Sequence, residues 1–293
     1  MLRAEENGYI RLMGEDEKGS GLDKRRWPMI KIAHVSDLHF HRAEPDNGKT
    51  ISLLGRVQGA YSFNSGYNYM LATGDITDDG DEVQYAKALA AFQPFISRLL
   101  LAPGNHDYGP LGNLYLRECA EAFDSYLLHR LAIEHRYIDK QPAVDVLEDE
   151  KGTQVLAVGL NSVLETSSPL DFARGAIGPG QLTALQGILS APRYSGMHKL
   201  VYLHHRPQKC DWFLELMDTE DFMAILNHTG VEVVAFGHTG GNMSPLEPSQ
   251  ARIVRVFVRK FGVKYLLNAN CSVDAQKFNE IVFDGPSISV KTV

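Results

Sequence analysis

The stretch Ile30-Lys31-Ile32-Ala33-His34-Val35-Ser36-Asp37-Leu38-His39 decides how the rest of the chain is read. Ile30 to Ser36 is a short run rich in β-formers, which predicts a buried strand, and the polar pair Asp37 and His39 predicts a loop leaving its carboxyl end. The arrangement recurs along the sequence. Tyr69 to Thr73 runs into Gly74-Asp75, and Leu99 to Ala102 into Gly104-Asn105-His106-Asp107. Lys199 to Leu203 leads to His204-His205, and Val231 to Phe236 to Gly237-His238. Five loops at the carboxyl ends of five strands lie on the edge where open α/β sheets bind ligands, so their polar residues can converge on one site.

Helical patterns fall between the strands. Asp81 is placed to cap a helix carrying Val83, Leu89 and Phe92 inward, and further helices are expected near Gln181 to Leu189 and Phe213 to Asn227. The tail changes character. Arg252 to Arg259, Val263 to Leu267, Phe278 to Phe283 and Ser287 to Lys291 read as short strands with no helix between them, which would form or complete a second sheet. Residues 1–28 are rich in charge and glycine without periodicity and read as a polar, flexible extension, leaving 29–293 as one domain.

Composition narrows the function. With 44% hydrophobic and 22% charged residues among 293, the chain has ample material for a core. A net charge of -7 disfavours a nucleic-acid backbone, so a small anionic substrate fits better than DNA. The three cysteines, Cys119, Cys210 and Cys271, are odd in number, far apart and free of Cys-x-x-Cys spacing, which argues against a disulfide framework and a thiolate zinc site and points to a reducing cytoplasm. No apolar leader or membrane-length stretch is present, so neither export nor membrane insertion is expected. No protein partner is implied.

Carboxylate, imidazole and amide oxygen together make a mixed nitrogen and oxygen site suited to Mn, Fe, Zn, Co or Ni. A carboxylate such as Asp75 can bridge two cations, and a cation pair can clamp a phosphoryl group. Singly, each of these residues has a plainer reading as a helix cap or turn former. Their joint placement after successive strands argues against it.

Asp37-Leu38-His39, Gly74-Asp75-Ile76-Thr77-Asp78, Gly104-Asn105-His106-Asp107, His204-His205 and Gly237-His238, in that order, resemble the motifs of the calcineurin-like metallophosphoesterase family. Leu160-Asn161-Ser162 and Gly175-Ala176-Ile177-Gly178 leading to Gln181-Leu182 look like the branch holding bacterial cyclic-nucleotide phosphodiesterases. The resemblance implies an α/β fold, a four-layer αββα sandwich of two mixed β-sheets flanked by helices. It also implies two divalent metal ions, Mn, Fe or Zn. Asp37 and His39 would hold the first, Asp75 would bridge, and Asn105, His204 and His238 would hold the second. His204 is preferred to His205 by alignment with the family's His-His-Pro-Pro pattern, in which Arg206 here replaces the first proline. A metal-activated hydroxide would attack phosphorus with His106 as general acid. Asn105, His106 and Arg206 would contact the substrate, a small phosphodiester such as a cyclic nucleotide.

One position departs from the family. Its last motif reads Gly-His-x-His, whereas Gly237-His238-Thr239-Gly240 lacks the second imidazole. Three readings follow: a working site with a labile first metal, a site in which His41 or Asn242 substitutes, and a module that binds phosphate esters or nucleotides without turnover. A nuclease is a further alternative. Specificity is assigned to loops at about residues 40 to 66, 108 to 130 and 240 to 250. Tyr108, Tyr115, Tyr126 and Phe172 are equally readable as cleft, core or surface aromatics.

Overall fold

A computed structural model describes residues 29–63, 66–166, 168–171, 173–207, 214–238, 263–269 and 272–293. The extension at 1–28, Gly240, Asn242, Phe172, Cys210, Cys271, the loop at 240–250 and the strand expected at Arg252 to Arg259 lie outside the described residues.

Two five-stranded mixed sheets carry the molecule. The first is ordered β10-β9-β1-β2-β3, from β1 (Ile30–Val35), β2 (Asn68–Thr73), β3 (Leu99–Ala102), β9 (Asn279–Asp284) and β10 (Ser287–Thr292). The second is ordered β4-β5-β6-β7-β8, from β4 (Ala143–Glu148), β5 (Gln154–Gly159), β6 (His198–Tyr202), β7 (Val233–Phe236) and β8 (Tyr265–Asn268). β1, β2 and β3 pair in parallel, as do β5 through β8, so their carboxyl ends share a direction within each sheet.

The period of two along the second sheet explains the layering. Val155, Ala157, Leu200, Tyr202, Val233 and Ala235 join a core with Ile30, Ile32, Met70 and Leu100 of the first sheet. The alternate residues Leu156, Val158, Val201, Leu203, Val234 and Phe236 pack instead with Leu182, Leu185 and Leu189 of α4 (Pro179–Leu189) and Phe222, Met223 and Leu226 of α5 (Thr219–Thr229). Leu53 and Val57 of α1 (Gly48–Ala60) and Tyr85, Ala88 and Phe92 of α2 (Glu82–Phe92) cover the first sheet. The order is helix, sheet, sheet, helix.

Several expectations change. Asp81 does cap α2, accepting from Gln84 N at 3.0 Å, but Val83 is 54% exposed because the inward stripe runs through Gln84, Tyr85, Ala88 and Phe92. The tail divides between the sheets: β8 extends the second, while β9 and β10 complete the first antiparallel to β1. A short α6 (Ser272–Ala275) lies between them, where no helix was expected. The supposed loop at 40 to 66 contains the whole of α1, and that at 108 to 130 contains α3 (Arg117–Ala122) and a π-helical stretch, Phe123–Leu128. The second helix of the second half begins at Thr219, not near residue 213.

Candidate metal centre

The loops after β1 and β2 run side by side past the sheet edge. Asp37 N donates to Gly74 O at 3.1 Å, His39 N to Asp75 O at 2.9 Å, and Phe40 N to Ile76 O at 2.8 Å. Those bonds hold an unusual backbone: Asp37, His39 and Asp75 have φ of 55°, 43° and 49°, and His238 after β7 has 54°. The left-handed region costs an L-residue about 1–2 kcal/mol because Cβ crowds the following carbonyl. Such strain persists where surrounding structure over-determines it, and it clusters at functional sites.

His39, Asp75 and His106 form one group whose donor atoms lie within 4.8 Å of one another; Asp75, His204 and His238 form a second. Asp75 belongs to both and is 3% exposed. His204 Nδ1 donates to Thr73 O at 2.8 Å, which leaves Nε2 as the nitrogen that can meet a proton or a cation. That nitrogen faces Asp75 Oδ2 at 3.2 Å and His238 Nδ1 at 3.0 Å. His238 is held by its own N–H to Asp37 Oδ2 at 3.3 Å, and its buried Nε2 has no partner. Asn105 Nδ2 donates to Gly112 O at 2.8 Å, so its unpartnered Oδ1 is the atom turned away.

The charges at the site oppose one another. Burial would depress His204 and His39, but Asp75 above all for the first, and Asp78 followed by Asp75 for the second, outweigh it and hold each at about 9. Burial raises Asp37, with Asp75 adding to it and His204 opposing. For Asp75 burial is outweighed by His204 and His106, which hold its carboxyl well below the usual range. Burial, then His204, depresses His238 to about 3. Acceptor lone pairs that meet in a buried space need either a proton or a cation between them. The donor set fits divalent cations of the kind imidazole, carboxylate and amide oxygen bind together.

Asp107 is fully buried and braces the loops from behind. Its carboxylate accepts from Gly104 N (2.9 Å), Ile76 N (3.2 Å), Thr77 N (2.8 Å) and Thr77 Oγ1 (3.0 Å). Burial, then Asp75, pushes it up to about 6. His106 N donates to Asp75 Oδ1 at 3.0 Å and its Nδ1 to Asp78 O at 2.8 Å, leaving Nε2 on the far side of the ring, near Gly112. The Asp78 carboxylate stands 3.5 Å from His39 Nδ1 and 3.2 Å from His41 Nδ1. His41 therefore faces Asp78 and is in neither group around Asp75.

His205 is buried beside His238, with ring centroids 4.3 Å apart, but is absent from both groups around Asp75; its Nδ1 meets Ser162 Oγ at 2.9 Å and its ring lies against Gly175. Arg206 is part-buried and engaged by its surroundings. Tyr108 is 1% exposed and belongs to the core, whereas Tyr126 lies under the Arg130 guanidinium and Tyr115 is partly exposed. Two features escaped sequence reasoning: the Thr73 carbonyl that orients His204, which no residue type announces, and Arg174, which directly precedes the Gly175 motif.

A model described as calcineurin-like phosphoesterase matches residues 30–241, most of the chain and every loop of the centre, and the chain belongs to that family. A probable cyclic nucleotide phosphodiesterase of Coxiella burnetii is 35% identical over 91 residues, covering 30% of this chain and 36% of its own. Another protein of that name, from Rhodococcus erythropolis, is 26% identical over 223 residues, covering 72% of this chain and 65% of its own. The chain thus spans less than two thirds of the length of either relative. A sulfate thiohydrolase of Thermus thermophilus shares the fold, with TM-score 0.51 at 11% identity over 93% of this chain and 58% of its own. Among the described residues no helix is long and apolar enough to cross a membrane.

Proposed function

We propose that this chain hydrolyses a small phosphodiester of the cyclic-nucleotide kind at a centre of two divalent cations, Mn, Fe or Zn. The observation that carries the reading is the convergence of two groups of metal-capable atoms on Asp75, with His204 Nε2 at 3.2 Å and its Nδ1 committed to Thr73 O. The names of the relatives support the phosphodiester. In this reading Asp37, His39 and Asp75 hold one cation, and Asp75, Asn105, His204 and His238 the other. Cations bound there would supply Lewis acidity toward the phosphoryl oxygens and acidify water near neutral pH.

The chain's own residues do the rest. His106 keeps Nδ1–H on the Asp78 carbonyl, so the proton it gives the leaving oxygen is carried on Nε2. Asn105 and His106 contact the phosphate, Asp107 keeps the two loops in register, and Arg206 is a further phosphate contact.

The test is hydrolysis of bis-p-nitrophenyl phosphate by metal-stripped protein titrated with Mn, Fe or Zn, beside Asp75→Asn. Metal-dependent turnover that the variant lacks is expected. Folded protein with no turnover under any of the three metals would overturn the reading in favour of a module that binds phosphate esters without cleaving them.

A further inference from the structure

Three buried side-chain atoms without a hydrogen-bond partner, Asn105 Oδ1, Asn113 Oδ1 and Arg174 Nε, belong to residues lining one small hollow beside the centre. Its volume is about 10 Å³, room for one water, and Gly112, Tyr115 and Thr166 complete much of its wall. Of the ten buried side-chain atoms without a partner among the described residues, three belong to this one lining, which marks it as a place where a polar group belongs. A cation at the centre accounts for Asn105. Asn113 and Arg174 are left over.

Arg174 is fixed in place. Its Nη2 donates to Glu215 Oε1 at 2.7 Å, and the next residue's N–H, that of Gly175, donates to Glu215 O at 3.0 Å. On its other side a Cβ on Gly175 would come within 2.3 Å of His205 Cγ, whose ring lies 4.3 Å from that of His238. The segment is therefore pressed directly against the centre. The hollow lies on the His106 side, because Gly112 of its lining packs against both residues: a Cβ there would lie 2.4 Å from Asn105 Nδ2 and 2.6 Å from His106 Nε2. That is the side on which the leaving oxygen departs if His106 delivers its proton.

An unpartnered N–H donor and an unpartnered amide acceptor on residues lining the same small space complement one hydroxyl group, which accepts one hydrogen bond and donates another. We propose that Arg174 and Asn113 form a leaving-group subsite that recognises a hydroxyl neighbouring the scissile oxygen, as on a sugar. They thereby determine a preference for sugar phosphodiesters over aryl esters. The water-sized hollow is where that hydroxyl sits, replacing solvent with equivalent bonds. This inference rests on the phosphodiesterase reading above.

The test compares kcat/KM on 3',5'-cyclic AMP, its 2'-deoxy analogue and bis-p-nitrophenyl phosphate in the Mn-loaded protein. The wild type is expected to prefer the ribose substrate to its deoxy analogue by about 10- to 100-fold, the worth of a hydrogen bond to a charged group. Arg174→Lys, which keeps the cation for Glu215, and Asn113→Ala, which leaves Arg174 in place, should each shrink that preference to within roughly threefold. Melting curves establish that both variants fold. Equal loss on all three substrates, or no ribose preference in the wild type, would overturn the subsite. Turnover of the aryl ester with neither nucleotide would also overturn it while leaving the phosphodiesterase reading intact; silence on all three would remove both.

Discussion

His204 Nε2 lies 3.2 Å from Asp75 Oδ2 because the opposite ring nitrogen, Nδ1, is committed to the carbonyl of Thr73 at 2.8 Å. A residue at the end of one sheet's strand is thus oriented by the backbone of the other sheet, so the centre exists only when the sheets are packed together. Binding a cation there must stabilise the packing. Metal-stripped protein is expected to melt lower, and Mn at a hundredfold excess over its dissociation constant should restore about 2.7 kcal/mol. Asp75→Asn should abolish that metal-dependent shift. An equal shift in the variant would show that the ion binds elsewhere.

His106→Ala leaves the His204, His238 and Asp75 group untouched while removing the Nε2 proton donor. The metal-dependent melting shift should therefore persist. Turnover of an ester with a poor leaving group should fall about 10²- to 10⁴-fold, and that of an activated aryl ester much less. Equal losses on the two esters would argue against His106 as the proton donor.

Gly104 has no room for a methyl group: a Cβ there would lie 2.2 Å from Asp75 Oδ1 and 2.3 Å from Asp75 N. Gly104→Ala should displace Asp75, costing about 1–3 kcal/mol as an overpacking change and removing the metal-dependent shift. Unaltered metal affinity measured by calorimetry would contradict this.

His34 is fully buried, donates Nε2–H to Thr73 Oγ1 at 3.0 Å, and is depressed by burial to about 3. The unfolded chain takes up its proton near pH 6.5 and the folded chain does not, so stability falls as pH drops from about 6.5 toward 3, by roughly 2 kcal/mol at pH 5. His34→Gln, which keeps a donor for Thr73 and cannot titrate in this range, should show a shallower acid loss. Denaturant melts of both proteins from pH 7 to pH 4 measure the difference; parallel curves would mean that His34 ionises in place.

The strands that carry the centre were legible because their signal is local. A short β-rich run ending in Asp, His or Asn marks both a buried strand and a polar loop, and β1, β2, β3, β6 and β7 all fall on such runs. The helices missed in 40 to 66 and 108 to 130 gave a weaker local signal. Thr50, Leu53, Leu54 and Val57 do form a buried helical stripe on α1, but Gly48, Gly55 and Gly59 within it dilute the pattern. Val83 was misplaced for a related reason, since apolar character alone does not say which of two neighbouring stripes meets a sheet.

By itself the sequence determined the set of chemical groups and the order of the loops that bear them, both of which follow from residue type and from short-range burial. Only the tertiary structure decided how the two adjacent imidazoles are oriented, that β9 and β10 join the first sheet while β8 joins the second, and that Arg174 and Asn113 share a hollow. Those choices depend on partners far away in sequence: the Thr73 carbonyl turns His204 across 131 positions, and Ser162 turns His205 across 43. The left-handed backbone at Asp37, His39, Asp75 and His238 is unfavourable in any isolated segment. It is held by hydrogen bonds that form only once the loops lie side by side, as between His238 N and Asp37 Oδ2 across 201 positions.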